Sequence, residues 1–336
     1  MPQVINSLHR LLPRRRWRRL LLGLLLVGFV AVNGLAWVQA RASTHFVDAG
    51  EPISTTTLTT LPVAKLIQAA LLGVPIPRPQ NHHTPADHYL PYETRSIALA
   101  NGEQLEAWLV PHPQPAGIVL LFSGYAGVKE GLLTPAAHMF EWGYSALLVD
   151  FRGAGGSSRS DTTIGMREAD DVAAAVAYAR AQWPDLPVAL YGVSMGAAAI
   201  IRAAGVLGVQ PVAIIAEGSF DRLLSTTRHR FTAVGAPAFP AAELMLFWGG
   251  VQTGYNGFAN NPVDFAGGIT CPTLLLHGER DAWVTAEETE AIAARVRGPA
   301  QVLHVPGRGH EMPFVYGAPE LWVQTVRPFL DAAMGR

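Results

Sequence analysis

Ser194 stands between two glycines, in Gly192-Val193-Ser194-Met195-Gly196, directly after the apolar run Pro187–Gly192. A serine hydroxyl is a weak nucleophile at neutral pH. It becomes a strong one when a base takes its proton and an acid orients that base. Two further residues are placed to supply those roles. Asp281 lies in "LLLHGERDAWV" and His310 in "VLHVPGRGHEMPF", each in the loop after an apolar run, 87 and 29 residues apart along the chain. Glu279, two residues nearer the end of its run, is a rival to Asp281. His277 and His304 fall within or at the end of their runs and read as core histidines. The set predicts acyl transfer with Ser194 as nucleophile, His310 as base and acid, and Asp281 as the orienting acid.

The setting of Ser194 carries much of that reading. A strand that turns at once into a helix forces the residue at the junction into a strained backbone and lifts its side chain above the sheet. Gly192 and Gly196 remove the side chains that would collide in so tight a turn. The tetrahedral intermediate of acyl transfer also needs two preorganised donors. The backbone N–H of Met195 is one candidate. The other is the backbone N–H of Tyr125, in the loop "SGYAGVKEG", whose plainer reading is an ordinary strand-to-helix turn. A second glycine-rich loop, "VDFRGAGGSS" (149–158), lacks the spacing of a phosphate cradle. It reads as a tight turn braced by Asp150 and Arg152. His82, His83 and His88 sit in a proline-rich stretch, so no metal site is expected, and no cofactor is expected either.

Eight short runs supply the strands that position these loops: "RSIALA", "LEAWLV", "GIVLLF", "SALLVDF", "PVALYG", "PVAIIAE", "PTLLLHG" and "AQVLHVP". Most are apolar throughout, as a parallel sheet covered on both faces requires. Helical patterns fall between them at about 131–142, 165–182, 195–207, 286–297 and 318–334. Alternation of strand and helix predicts an α/β fold, a doubly wound and mostly parallel sheet. Residues 218–268 separate two strands by far more than a connection needs. They predict an inserted helical cap over the carboxyl edge, against a plainer reading as ordinary helical packing.

The amino terminus is of another kind. Five arginines fall within residues 14–19, and 19 largely apolar residues follow from Leu20 to Val38. That run makes a helix about 28 Å long, close to the roughly 30 Å of a bilayer core. The expected organisation is a basic cytoplasmic segment (1–19), a transmembrane signal anchor (20–42), a proline-rich connector (43–92) and a catalytic domain (93–336). A short helix at Val63–Leu72 is expected within the connector. The arginines place the catalytic domain on the extracytoplasmic side. The alternatives are secretion after cleavage near Ala42, or export on a twin-arginine signal at Arg18-Arg19. From residue 43 onward, 18 Lys plus Arg face 26 Asp plus Glu, a net −8. No nucleic-acid partner is expected of such a surface. Cys271 is the only cysteine, so neither an internal disulfide nor a cysteine zinc site is possible. The sequence leaves the oligomeric state open.

Residues 93–334 resemble the α/β-hydrolase superfamily, and within it the serine-aminopeptidase-like, hydrolase-4 type proteins. The likeness rests on "LLFSGYAGVKEG", "LLVDFRGAGGSS", "LYGVSMGAA" and "LLLHGERDAWVT…VPGRGHE". The resemblance implies the same triad of Ser194, Asp281 and His310, with Tyr125 and Met195 as oxyanion donors. One position departs: relatives usually carry His-Gly where this chain has Ser123-Gly124. Together these readings predict a membrane-bound carboxylesterase or lipase-like enzyme acting on a hydrophobic, acyl or lipid-like small molecule. Thioesterase, aminopeptidase-like and acyltransferase activities are alternatives, as is a catalytically silent binding protein on the same fold.

Overall fold

The computed structural model describes residues 14–48, 68–69 and 71–336. Residues 1–13, part of the basic segment, lie outside it, as does most of the helix expected at 63–72. Eight strands form one sheet: β1 (Glu93–Ala98), β2 (Gln104–Val110), β3 (Ile118–Phe122), β4 (Ser145–Val149), β5 (Val188–Val193), β6 (Ala213–Glu217), β7 (Thr273–Gly278) and β8 (Ala300–Val305). Their order is β1-β2-β4-β3-β5-β6-β7-β8, with β2 antiparallel to both neighbours and the other pairs parallel. Every residue of β3, β4, β5, β6 and β7 is buried. That explains why those runs lack polar alternation: both faces are covered.

Nine α-helices accompany the sheet among the described residues: α1 (Arg14–Thr44), α2 (Leu133–Glu141), α3 (Glu168–Gln182), α4 (Met195–Gly205), α5 (Leu223–Ala233), α6 (Ala241–Thr253), α7 (Pro262–Phe265), α8 (Ala286–Ala293) and α9 (Pro319–Ala333). On one face α3, α4 and α8 bury Val172, Val176, Ile200 and Ile292 against the strands. On the other, α2 and α9 do so through Leu133, Met139, Trp322, Val326 and Leu330. This is an α/β-hydrolase fold. Helices α5, α6 and α7 occupy the long interval between β6 and β7, where the cap is expected.

Helix α1 is long and apolar enough to cross a membrane, and lies near the amino terminus, as a signal sequence also would. Its helical turns run on to Thr44, beyond the expected end at 42. The last turns dock on the cap. Ala36 and Ala40 are buried there, and the Trp37 and Trp248 rings meet edge to face at 5.3 Å. Trp248 Nε1 donates to Asn33 Oδ1 at 3.1 Å, and Gln252 Nε2 to the Trp37 carbonyl at 2.9 Å. Much of the expected connector is likewise built into the domain. Phe46 N–H donates to the Ser160 carbonyl, the Arg78 guanidinium to the Ser157 and Arg159 carbonyls, Gly155 N–H to the Pro79 carbonyl, and Asn81 Nδ2 to Asp150. Prolines deny this stretch regular structure, yet its remaining polar groups still need partners and find them on loops of the sheet.

Candidate active site

The elbow at Ser194 has the strain its sequence context demands. The residue adopts φ 50°, ψ −115°, between the end of β5 and the start of α4. A Cβ on Gly196 would stand 2.5 Å from the Phe122 carbonyl oxygen, and one on Gly192 would stand 2.7 Å from the Gly196 backbone. No larger residue fits without moving β3 or α4, so the two glycines are what permit the turn.

Three distant side chains converge above it. Ser194 Oγ lies 3.0 Å from His310 Nε2. His310 Nδ1 lies 2.5 Å from Asp281 Oδ2. The second carboxylate oxygen of Asp281 accepts the backbone N–H groups of Trp283 at 2.8 Å and Val284 at 3.1 Å. Burial alone would raise the Asp281 pKa. Its hydrogen bond and charge interaction with His310, joined by the two N–H donors, hold it below the usual carboxylate range. Glu279, the rival acid, accepts from Gly307 N–H and is not part of this chain of bonds. His277 is buried, with Nε2 on the Val284 carbonyl and Nδ1 on His304 Nδ1, as a core histidine would be. His82, His83 and His88 join no cluster of metal-ligating side chains among the described residues.

The two expected oxyanion donors flank the serine. Met195 opens α4, where the first N–H groups have no intrahelical acceptor. Tyr125 follows Gly124, whose Cβ position would come 3.3 Å from Ser194 Cβ. Among the described residues neither backbone N–H donates a hydrogen bond. The Tyr125 phenol donates to the Ser43 carbonyl at 2.5 Å, which ties its loop to the end of α1. Ser123 is buried, and its hydroxyl has no hydrogen-bond partner among the described residues.

Residues that the sequence pattern did not single out hold these loops in place. Lys129 is fully buried, its Nζ paired with Glu106 at 2.7 Å and with Asp150. Asp150 also accepts the backbone N–H of Lys129 at 2.8 Å, fastening the Tyr125 loop to the glycine-rich turn. The other brace, Arg152, pairs with Asp171 at 2.6 Å and Glu103 at 2.8 Å. Beneath the histidine loop, buried Glu217 accepts from Tyr191, Trp322 and Phe314 N–H, and burial pushes its pKa up. A lone lysine between glycines and a glutamate closing an apolar strand are the only sequence signals of these roles.

A cleft of about 1360 Å³ opens over the serine. Ser194, His310, Tyr125, Met312, Trp283 and Arg230 are among its walls. The Trp283 ring lies against His310 at 4.9 Å, and Arg230 reaches in from the cap helix α5.

Comparison with known proteins agrees with this architecture. Residues 113–216 match the hydrolase-4 family, described as serine aminopeptidase S33. An uncharacterized protein of Mycobacterium tuberculosis is 27% identical over 240 residues, covering 70% of this chain and 77% of its own length. Uncharacterized protein YqkD of Bacillus subtilis is 25% identical over 243 residues, covering 70% and 78%. Among solved structures, esterase Pf2001 of Pyrococcus furiosus superposes with a TM-score of 0.63 at 24% identity, over 77% of this chain and 97% of that one. Est1E of Butyrivibrio proteoclasticus, solved with ferulic acid, superposes with a TM-score of 0.57 at 18% identity, over 72% and 100%. The chain therefore shares the α/β-hydrolase fold of these esterases, and its residues 113–216 are similar to the hydrolase-4 family.

Proposed function

We propose that the protein is a membrane-anchored serine hydrolase that cleaves carboxylic esters of hydrophobic acyl substrates through an acyl-enzyme on Ser194. The observation that carries this reading is the unbroken hydrogen-bond chain Ser194–His310–Asp281 at the mouth of the cleft. His310 Nε2 takes the proton of Ser194 Oγ as the oxygen attacks the substrate carbonyl. The Tyr125 and Met195 N–H groups receive the oxyanion. Collapse breaks the C–O bond, and the alcohol leaves with the proton from His310. Water repeats the sequence on the acyl-enzyme and releases the acid. These steps call for protein groups and water alone.

The esterase structures that superpose on this fold support an ester over an amide. The hydrolase-4 match, described as serine aminopeptidase, supports peptidase activity as a second reading. Helix α1 retained as an anchor, with its arginines in the cytoplasm, would set the cleft on the outer side of the membrane.

Covalent labelling by a fluorophosphonate probe, lost in Ser194→Ala, is the expected result. Equal labelling of folded wild type and variant would remove the assignment of Ser194. A series of p-nitrophenyl esters run beside aminoacyl anilides then separates esterase from peptidase, and competing alcohols reveal acyl transfer. A silent binding protein would be unlabelled and inert throughout.

A further inference from the structure

Three arginines fall within nine residues at α5, and they are not alike. Arg222 forks onto Asp264 at 2.7 and 2.9 Å, and Arg228 pairs with Glu243. Arg230 has no such partner. Among the described residues it makes no ion pair, and its Nε is shut off from solvent without an acceptor. The guanidinium instead lies over two aromatic rings. It lies 4.4 Å from the Trp283 ring centre and 5.9 Å from that of Tyr125. Asp281, the acid whose charge acts on Arg230, is committed elsewhere: its oxygens are taken by His310, Trp283 and Val284. The Tyr125 phenol donates to Ser43, so it offers Arg230 only its ring.

This arrangement has a cost and a direction. Arg230 is half-buried, and partly withdrawing a guanidinium from water without a counter-charge is unfavourable, so burial lowers its pKa. Stacking on aromatic faces offsets part of that cost. It also fixes the plane of the group while leaving the in-plane N–H donors, which match an oxyanion in bidentate fashion, unused. These donors border the same cleft as Ser194 and His310.

We infer that Arg230 is the specificity-determining residue for a substrate that carries an anionic oxygen group, carboxylate or phosphate, near its scissile ester. The inference rests on the proposed esterase reading and narrows its substrate class. The anion supplies the counter-charge that the fold withholds, so binding pairs the half-buried cation as it positions the ester over Ser194. Trp283 and Tyr125 hold the fork in place. The apolar remainder of the substrate packs against the rest of the cap.

Two matched pairs of esters test it on the full-length protein. One pair puts the charge on the acyl side: p-nitrophenyl hydrogen glutarate against its neutral methyl ester. The other puts it on the alcohol side: an acylglycerol phosphate against the uncharged acylglycerol. The expected result is a preference for the anionic member in at least one pair, expressed mainly in KM. In Arg230→Gln that ratio of kcat/KM falls roughly ten- to hundredfold, the range of a charge-assisted hydrogen bond, and Arg230→Lys restores part of it. The pair that responds assigns the side. Absence of preference in both pairs, or a parallel loss on charged and neutral esters in Arg230→Gln, overturns the inference while leaving esterase activity standing. Should Arg230→Gln fail to fold, wild type decides alone: glutarate or inorganic phosphate must slow fluorophosphonate labelling of Ser194, and indifference to both overturns the inference. Failure of Ser194 to label at all would instead sink the esterase reading.

Discussion

Replacing Asp281 by Asn tests the proposed relay with little change of shape. In wild type one carboxylate oxygen accepts two backbone N–H groups and the other faces His310 Nδ1 at 2.5 Å. An asparagine has a single acceptor oxygen. The two backbone donors cannot reorient, so they claim it, and the NH2 group is turned toward His310. A donor facing Nδ1 makes that nitrogen the acceptor and moves the imidazole proton to Nε2. The base then confronts Ser194 Oγ with a proton where it needs a lone pair. Wrong-tautomer trapping of this kind costs about 10⁴ in kcat, or about 5 kcal/mol of barrier. Steady-state hydrolysis of p-nitrophenyl butyrate measures it, with fluorophosphonate labelling expected to slow in parallel. Asp281→Asn retaining a tenth or more of wild-type kcat would refute the reasoning. Stability gives an independent reading. The folded pKa of Asp281 is depressed, so its ionised form adds stability above the unfolded value near 3.9 and loses it as pH falls through the lower folded value. The variant lacks that acid limb, and its urea midpoint should vary less between pH 7 and pH 3.

Lys129→Met leaves Asp150 buried without its ammonium partner, and should lower unfolding free energy by about 3–5 kcal/mol in urea titrations; a change under about 1 kcal/mol would show that the pair is not what holds the two loops together. Burial, with the charges of Asp221 and Asp281, raises the pKa of Glu288 to about 7, so the stability of its protonated form is complete below the unfolded value and lost as pH rises through 7. Glu288→Gln preserves the bond to Thr285 that caps α8 and should gain roughly 1–2 kcal/mol over wild type between pH 5 and pH 8; a constant difference across that range would contradict the shift. A chain beginning at Ser43 loses the Trp37–Trp248 contact and the two hydrogen bonds to α6, together worth roughly 1.5–4.5 kcal/mol. Amide exchange in residues 241–253 should accelerate accordingly, and unchanged protection would mean that α1 does not brace the cap.

How much of the fold and the site is legible in the amino-acid chain depends on how local each cause is. Residues 187–196 carry their own instructions: a run apolar on both faces, then glycines on either side of Ser194 where a Cβ would strike Phe122 or the neighbouring turn. The inner parallel strands announce themselves by uninterrupted burial, the edge strand β8 by its apolar run alone, and the ends of β7 and β8 mark the loops in which Asp281 and His310 fall. Arg230 has no such signal. Arg222, Arg228 and Arg230 are chemically equivalent in sequence, and only packing decides which two meet a carboxylate and which one faces the cleft. Lys129 illustrates the same limit, because a lysine between glycines reads as solvent-exposed until Glu106 and Asp150 close on it.

The amino-terminal helix shows what composition leaves out. Length and apolarity describe α1 as an object for the membrane, with the proline-rich stretch after it as a tether. Here the helix continues without a break to Thr44, buries Ala36 and Ala40 against the cap, and ends with the Ser43 carbonyl on the Tyr125 phenol. Tyr125 in turn adjoins Gly124, which lies against Ser194. A displacement of the last turns of α1 therefore reaches the loop proposed to receive the oxyanion through one hydrogen bond and two peptide units. The same displacement reaches α6, and through the cap the helix α5 that carries Arg230. Helix α1, the cap and the cleft are joined by direct contacts, so the position of α1 bears on the chemistry of the site.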